Sequence, residues 1–358
     1  MKKLLLILPA LLLFSCNTDD SDIVTTNTTM YFPENNSDYW KKTTVQEIGW
    51  NEDGIAPLLD FLNTEKTRAF IILADGKIVM ENYFNGHSRY KKWYWGSADK
   101  TLTAAITGIA EQNGYVNVNN KVSDYLGTSW TSAPPEKEDM ITCKHLLTMT
   151  SGLNEDYGNN ISATGLQYHC DAGTRWAFHP VDNKLQDIVQ EATGENWIQY
   201  FNDELQYPIG MEGEWREMNN LKTYWSDARS IARYGLLALN KGKWKSQQII
   251  DSDYFTSCTS SSQEINKSYG YAWWLNGKEN YYLPLNDEEF TGSMIASAPS
   301  DMYMAMGEGN QKLYIVPSRK IVVIRMGETP DEETIEDINA PSTNFDNELW
   351  AKINTLIN

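Results

Sequence analysis

Two blocks of strand-forming sequence stand near opposite ends of this chain, and they constrain its fold more than any other feature. In the first, Ala69-Phe70-Ile71-Ile72-Leu73-Ala74 is an unbroken apolar run. Asp75-Gly76 follows, a dipeptide suited to a tight hairpin turn, and Lys77 to Phe84 returns as a second strand. The other block holds Met302 to Gly307, then Gln311 to Val316, the turn Pro317-Ser318, and Ile321 to Met326. Residues 115–290, between the blocks, read mostly as helices and loops. The two blocks are therefore expected to meet in one antiparallel sheet, with a helical lobe inserted between them. The last helix places Phe345, Leu349, Trp350, Ile353, Leu356 and Ile357 on one face, so it should cover that sheet. The expected class is α+β.

The chemistry concentrates where the first strand block ends. Trp93-Tyr94-Trp95-Gly96-Ser97-Ala98-Asp99-Lys100 runs into an apolar pattern at Leu102, Ala105, Ile106, Ile109 and Ala110 that has helical spacing. Asn113-Gly114 stops it. Ser97 thus stands at a loop-to-helix junction, with Lys100 one turn later on the same face. A serine hydroxyl needs a neighbouring base, and a desolvated lysine amine can serve. The helix start adds N–H groups that favour a developing oxyanion. Ser-x-x-Lys occurs on many exposed helix starts without function. Here the apolar helix behind it gives the pair a buried setting. Asp99 is expected to cap the helix start.

Other segments bound location and partners. Lys2-Lys3 followed by an apolar run from Leu4 to Phe14 reads as a targeting segment too short to span a bilayer. It ends Leu13-Phe14-Ser15-Cys16, which resembles a bacterial lipobox with Cys16 as the lipidated residue; an ordinary cleaved signal peptide is the other reading. The expected organisation is a lipoprotein signal peptide over 1–15, an acidic and polar tether over 16–45, and a catalytic domain over 46–358. That domain divides into a sheet lobe (about 46–92 and 291–358) and a helical lobe (about 93–290). Membrane contact is expected only through the anchor, at the outer membrane of a cell envelope. The formal charge of −18 argues against nucleic acid as a partner. Cys143, Cys170 and Cys258 fit no metal-site spacing; one disulfide among them is possible, and Cys143 reads as a buried free thiol.

From about Ile71 to Gly327 the chain resembles the serine β-lactamase and penicillin-binding-protein superfamily, closest to the class C type and its esterase and amidase relatives. The resemblance rests on Ser97-Ala98-Asp99-Lys100, on Ile141-Thr142-Cys143-Lys144-His145-Leu146-Leu147-Thr148-Met149-Thr150-Ser151-Gly152-Leu153, on Ala228 to Leu237, and on the paired strands around Leu313 and Val322. It implies a β-lactamase-like fold, no metal and no cofactor. It also implies three site elements. The first is the serine and lysine, matched by Ser97 and Lys100. The second is a Tyr-x-Asn ahead of a helix. Counting back from the expected Leu185–Gly194 helix gives Phe178-His179-Pro180, which carries neither the phenol nor the amide. The third is a Lys- or His-x-Gly triplet, matched to Glu308-Gly309-Asn310 with Gln311 supplying the second oxyanion N–H. Glu308 reverses the expected charge there, which would favour protonated Lys100.

These residues define the expected site: Ser97, Lys100 and His179 as catalytic groups, with Phe178, Glu308, Gly309, Asn310 and Gln311 around the substrate. His179 enters as a stand-in base with a suitable intrinsic pKa, against the plainer reading of a polar loop histidine. His145 reads as a structural hydrogen-bonding residue. Trp93 and Trp95 flank the nucleophile and read as packing aromatics, as do Trp273 and Trp274. The expected function is hydrolysis of an ester or amide, in a small-molecule or peptide-like substrate, through a Ser97 acyl-enzyme. The alternative is a surface protein on a catalytically weakened scaffold, which binds a peptide-like ligand without efficient turnover.

Overall fold

The computed structural model describes residues 30–35, 37–329 and 343–358. The leader, Cys16 and the first part of the expected tether lie outside the described residues. The main elements in chain order are α1 (Ile55–Thr64), β1 (Thr67–Ala74), β2 (Lys77–Tyr83), β3 (Trp93–Tyr94), α2 (Lys100–Gln112), α3 (Lys184–Thr193), β4 (Gly213–Met218), β5 (Leu221–Ser226), α4 (Ala228–Leu239), β6 (Trp274–Leu275), β7 (Tyr303–Gly307), β8 (Gln311–Val316), β9 (Ile321–Gly327) and α5 (Thr343–Ile357).

The two strand blocks meet as expected. One antiparallel sheet runs β2-β1-β9-β8-β7-β6, and β1 pairs directly with β9, Ile71 opposite Ile324 and Leu73 opposite Val322. Asp75 and Gly76 both take positive φ, 48° and 81°, the mirror-image turn that a two-residue hairpin needs. The sheet is apolar on both faces, which is why β1 reads as a continuous run rather than an alternation. Phe70, Ile72, Tyr314 and Val323 face a cluster with Leu58 and Leu62 of α1 and Leu349, Trp350 and Ile353 of α5. Ala69, Ile71, Leu313, Ile315 and Val322 face the other cluster, with Leu102 and Ile106 of α2 and Leu236 of α4.

Two expectations require correction. The tether does not extend to residue 45. Tyr31 N–H donates to Asp75 O at 2.9 Å, the indole of buried Trp40 donates to Gly76 O at 2.8 Å, and Thr43 N–H donates to Ile78 O at 2.9 Å. Lys41–Thr43 therefore pair with the outer strand β2 at Ile78, while Tyr31 and Trp40 hold the Asp75-Gly76 turn; the open backbone groups of an edge strand need such partners. The middle of the chain also holds a second sheet, ordered β3-β5-β4. Its β4–β5 hairpin turns at Asn219-Asn220, with φ of 53° and 67°. Two asparagines tolerate that conformation without glycine. As for the thiols, Cys143, Cys170 and Cys258 are all free.

Helix α5 is held to the sheet by more than apolar contact. Asp346 is fully buried, its carboxylate 2.9 Å from Lys312 Nζ and hydrogen-bonded to the Tyr314 hydroxyl. Taking one partner from a buried pair typically costs about 3–5 kcal/mol. Asp346→Ala should lose about that much in urea unfolding; a change below about 1 kcal/mol would mean the pair behaves as a surface contact.

Candidate active site

The second sheet carries the chain into the nucleophile turn. Trp95 N–H donates to Tyr224 O at 2.9 Å, and its indole N–H donates to Ser226 Oγ at 2.8 Å. Gly96 then takes φ of +54°, where a side chain is disfavoured. Gly96–Asp99 forms a 3₁₀ turn, and Lys100 opens α2 with its N–H shared between the Ser97 and Ala98 carbonyls. In a 3₁₀ turn residues three apart eclipse. Ser97 and Lys100 therefore project from one side of the junction. Ser97 is half-buried, whereas Lys100 is buried.

Asp99 does not cap its own helix. Its Oδ2 accepts from Tyr224 N–H at 2.8 Å and so ties the turn to β5. Burial pushes the Asp99 carboxyl up to about 7, opposed by Lys100 and by the Tyr224 amide.

Lys100 has a partner that sequence reasoning missed. Its Nζ lies 2.8 Å from Asp182 Oδ1, and the two side chains are 5% and 3% exposed. Burial raises the Asp182 carboxyl, and the charge and hydrogen bond of Lys100 oppose that rise. The Lys100 ammonium also lies 5.5 Å from the centre of the Phe178 ring. Phe178 in turn stacks on Trp274 at 5.9 Å. The Phe178-His179-Pro180 segment is thus placed beside the lysine, as the count back from α3 predicts. The ring in the tyrosine's place offers only a π-face, and a carboxylate four residues later supplies the polar contact. The signal was a lone aspartate in an otherwise apolar approach to α3.

His179 does not occupy the position expected of a stand-in base. It is buried, and its Nδ1 accepts from Val181 N–H at 3.0 Å. Among the described residues no hydrogen bond joins it to Ser97. Burial, then the charge of Lys100, lowers its pKa to about 4, while the Glu155 charge and the Asn154 carbonyl oppose this. The imidazole is therefore a neutral group that shapes the turn ahead of α3. His145 plays the structural part expected of it. Its Nδ1 accepts from Thr142 N–H at 3.1 Å, closing a reciprocal cap on Cys143–Leu147. Trp95, Trp273 and Trp274 are buried packing groups.

The glycine against the nucleophile is Gly307, not Gly309. A Cβ on Gly307 would fall 2.1 Å from the Trp95 carbonyl oxygen and 3.0 and 3.2 Å from the Ala98 and Ser97 nitrogens. A Cβ on Gly96 would lie 3.0 Å from the Glu308 nitrogen. Strand β7 thus presses edge-on against the turn, and the third-element register moves to Ala305-Met306-Gly307. Ala305, two residues before the glycine and on the same face of the strand, is fully buried. Glu308 is exposed at the hairpin tip.

Gly309, Asn310 and Gln311 serve as scaffold. Buried Arg325 donates to the Gly309 and Asn310 carbonyls at 2.7 and 3.0 Å. The Gln311 amide donates to Gly327 O at 2.7 Å and accepts from Gly327 N–H at 3.0 Å. Gln311 itself lies opposite Gly307 on β8, one strand removed from the nucleophile. The N–H facing the site from this hairpin is therefore that of Glu308 rather than Gln311.

Comparison with known proteins agrees with this geometry. The Beta-lactamase family model matches residues 65–342, most of the chain. The chain belongs to the β-lactamase family. An uncharacterised protein of Alkalihalophilus pseudofirmus is 24% identical over 312 residues, covering 74% of this chain and 87% of that one. The fold is shared with a provisionally named 6-aminohexanoate-dimer hydrolase of Bacillus anthracis (TM-score 0.66, 17% identity, 89% of this chain and 88% of that one). It is shared too with a β-lactamase of Mycobacterium bovis (0.58, 15%, 82% and 98%). A third neighbour is EstCE1, a hydrolase with promiscuous acyltransferase activity (0.62, 12%, 86% and 99%). The β-lactamase-like fold, an antiparallel sheet with flanking helices, is thereby shared with serine hydrolases of this superfamily.

Gly307 packs on the turn that carries Ser97 and leads into Lys100, with the Phe178 ring beside the lysine and buried Ala305 two residues before the glycine on β7. Because Gly307 has no room for a side chain, Gly307→Ala must push the hairpin off the turn. Overpacking of this kind costs about 1–3 kcal/mol. Urea unfolding should register that loss, and an unchanged midpoint would place the hairpin farther from Ser97 than described.

Proposed function

We propose that this chain is a serine hydrolase acting on an ester or amide through a Ser97 acyl-enzyme. The observation that carries the reading is the contact between Gly307 and the Gly96–Asp99 turn. It sets the backbone N–H groups of Ser97 and Glu308 near one another beside an accessible serine hydroxyl. Two such donors aimed at a carbonyl oxygen are what an acyl transfer needs to hold its oxyanion. Ser97 Oγ attacks the carbonyl carbon, its proton passes to Lys100, and water later releases the acyl group. Every step is assigned to this chain's own groups and water. The partner is a small-molecule or peptide-like substrate.

One observation favours the second reading, a binding protein with slow or no turnover. Lys100 is engaged by a carboxylate, and Phe178 stands where a tyrosine hydroxyl is expected. Labelling decides between the two. A reactive phosphonate or activated ester should add one adduct to folded protein, on Ser97 by peptide mapping. Ser97→Ala should abolish it, and Lys100→Ala should slow it by about 100-fold or more. Absence of any adduct after prolonged exposure to several reagents would leave the binding protein.

We further propose that Cys16 is lipidated and tethers the domain to a cell-envelope membrane. The support is the apolar leader ending in Ser15-Cys16. Residues 30–35 and 37–45 belong to the described fold, so the proposed tether is the polar stretch before them. Wild-type protein expressed with its leader should enter the detergent phase on phase separation, and Cys16→Ala should not. Wild-type protein in the aqueous phase would end this proposal.

A further inference from the structure

The family resemblance implies a tyrosine hydroxyl beside the lysine, and among the described residues no tyrosine is hydrogen-bonded to Lys100 Nζ. What the chain has is a second buried charge in direct contact with the lysine. Asp182 lies in the 3₁₀ turn Pro180–Asn183 that leads into α3. Its Oδ1 is 2.8 Å from Lys100 Nζ, and both side chains are nearly inaccessible. Burying such a pair costs desolvation that the attraction does not reliably repay. A pair retained next to a nucleophile is therefore better explained by chemistry than by stability.

An ammonium cannot take a proton, so a lysine paired with a carboxylate needs a route for a proton to leave it before it can act as a base. The same contact removes the difficulty if the two groups act together. We propose that Asp182 replaces the family's tyrosine as the polar partner of Lys100, and that the Lys100–Asp182 pair accepts the Ser97 proton as a unit. The inference rests on the Ser97 acyl-enzyme reading.

The step balances as follows. The Ser97 O–H bond breaks and its electron pair forms the new Oγ–C bond to the substrate carbonyl. The carbonyl π pair moves to oxygen, where backbone N–H groups hold it. Lys100 Nζ receives the serine proton as one of its own protons crosses to Asp182. The pair has then changed from ammonium–carboxylate to ammonium–carboxylic acid, gaining one proton in total. When the tetrahedral species collapses, the alkoxide or amine leaving group takes a proton from Lys100, and Asp182 returns its proton to the lysine. No oxidant, reductant or further reactant enters. Asp182 touches neither substrate nor serine, so it is a positioning residue that acts through Lys100.

The groups facing this pair come from every neighbouring element. Asp99 precedes Lys100 and interacts by charge with both members. His179 lies close enough for the lysine charge to depress its titration. Tyr269 is buried, and burial first, then the charge of Asp182, raises its phenol. Phe178 closes the remaining side of the lysine with its ring face. Asp99 is the only one of these with a titration near neutrality, and it is common to all variants below.

The test is the pH profile of Ser97 phosphonylation, read by intact mass in wild type, Asp182→Asn, Asp182→Glu and Phe178→Tyr/Asp182→Asn, each checked for folding by circular dichroism. The pair predicts that Asp182→Asn slows labelling by about 100-fold at neutral pH, with the remaining rate rising toward alkaline pH as it falls to the lysine alone. Asp182→Glu should recover part of the rate. Phe178→Tyr/Asp182→Asn should recover it by restoring a hydroxyl beside Lys100. Equal or faster labelling in Asp182→Asn would overturn the proposal, since Asp182 would then be a lock on the lysine. So would a slower rate with an unchanged pH profile and no recovery in either companion variant, which is the mark of a structural residue. Failure of the wild type itself to label would instead overturn the Ser97 reading.

Discussion

The site depends on one turn being gripped from two sides. On one side, the Tyr224 carbonyl of β5 accepts from Trp95 N–H, and the Tyr224 N–H donates to the Asp99 carboxylate. On the other, Gly307 of β7 meets the Trp95 carbonyl and the Ser97 and Ala98 nitrogens at a distance that leaves no room for a side chain. The two strands belong to different sheets. Ser97 is therefore positioned where the two sheets meet the turn rather than by either sheet alone. This is also why so much buried polar structure gathers behind β7 and β8. Arg325 and Gln311 fix the hairpin by hydrogen bonds to backbone, and backbone geometry is what an oxyanion site is made from.

Buried charge appears in two places with two physical roles. Under α5, Asp346 with Lys312 and Tyr314 lies far from the nucleophile turn, in the cluster on the opposite sheet face, and joins a helix to a sheet. Beside the nucleophile, Asp99, Lys100 and Asp182 form a group with one cation and two carboxyls. There burial displaces both carboxyl titrations upward, against the opposing charge of Lys100. Both pairs bear the desolvation cost of burial; the first joins a helix to a sheet, and the second has its lysine on the helix that follows Ser97, where we propose a chemical use.

Much of this was legible in the sequence. The continuous apolar strands, the Asp75-Gly76 turn and the apolar face of α5 each report a local physical requirement, and each element formed where it was expected. The β4–β5 hairpin was missed because its strands carry charged residues such as Arg216, Glu217 and Lys222 among the aromatics, and its turn uses asparagine rather than glycine. At the site, Ser97 and Lys100 were readable as a spacing along one segment, and Phe178 only through the resemblance, by counting back from the helix that follows it. Asp182 was not, because its role exists only when the approach to α3 folds against α2. The third-element register slipped for a similar reason. Gly307 and Gly309 look alike in sequence, and only contact with the turn distinguishes them.

The corrected register changes what the departures from the family mean. With Glu308-Gly309-Asn310 in the third position, a carboxylate would have faced Lys100 and opposed its role. With Ala305-Met306-Gly307 there, the position of the family's cation is an inaccessible alanine, and Glu308 lies outside at the hairpin tip. The site then lacks the group that would hold a substrate carboxylate, yet keeps everything made from backbone. Loss of a binding cation reduces recognition of one substrate feature; it does not remove the donors that stabilise the oxyanion. In the proposed acyl transfer, recognition and oxyanion stabilisation would be carried by different atoms. The same scaffold can therefore shift away from carboxylate-bearing substrates while the serine keeps the surroundings that acylation requires.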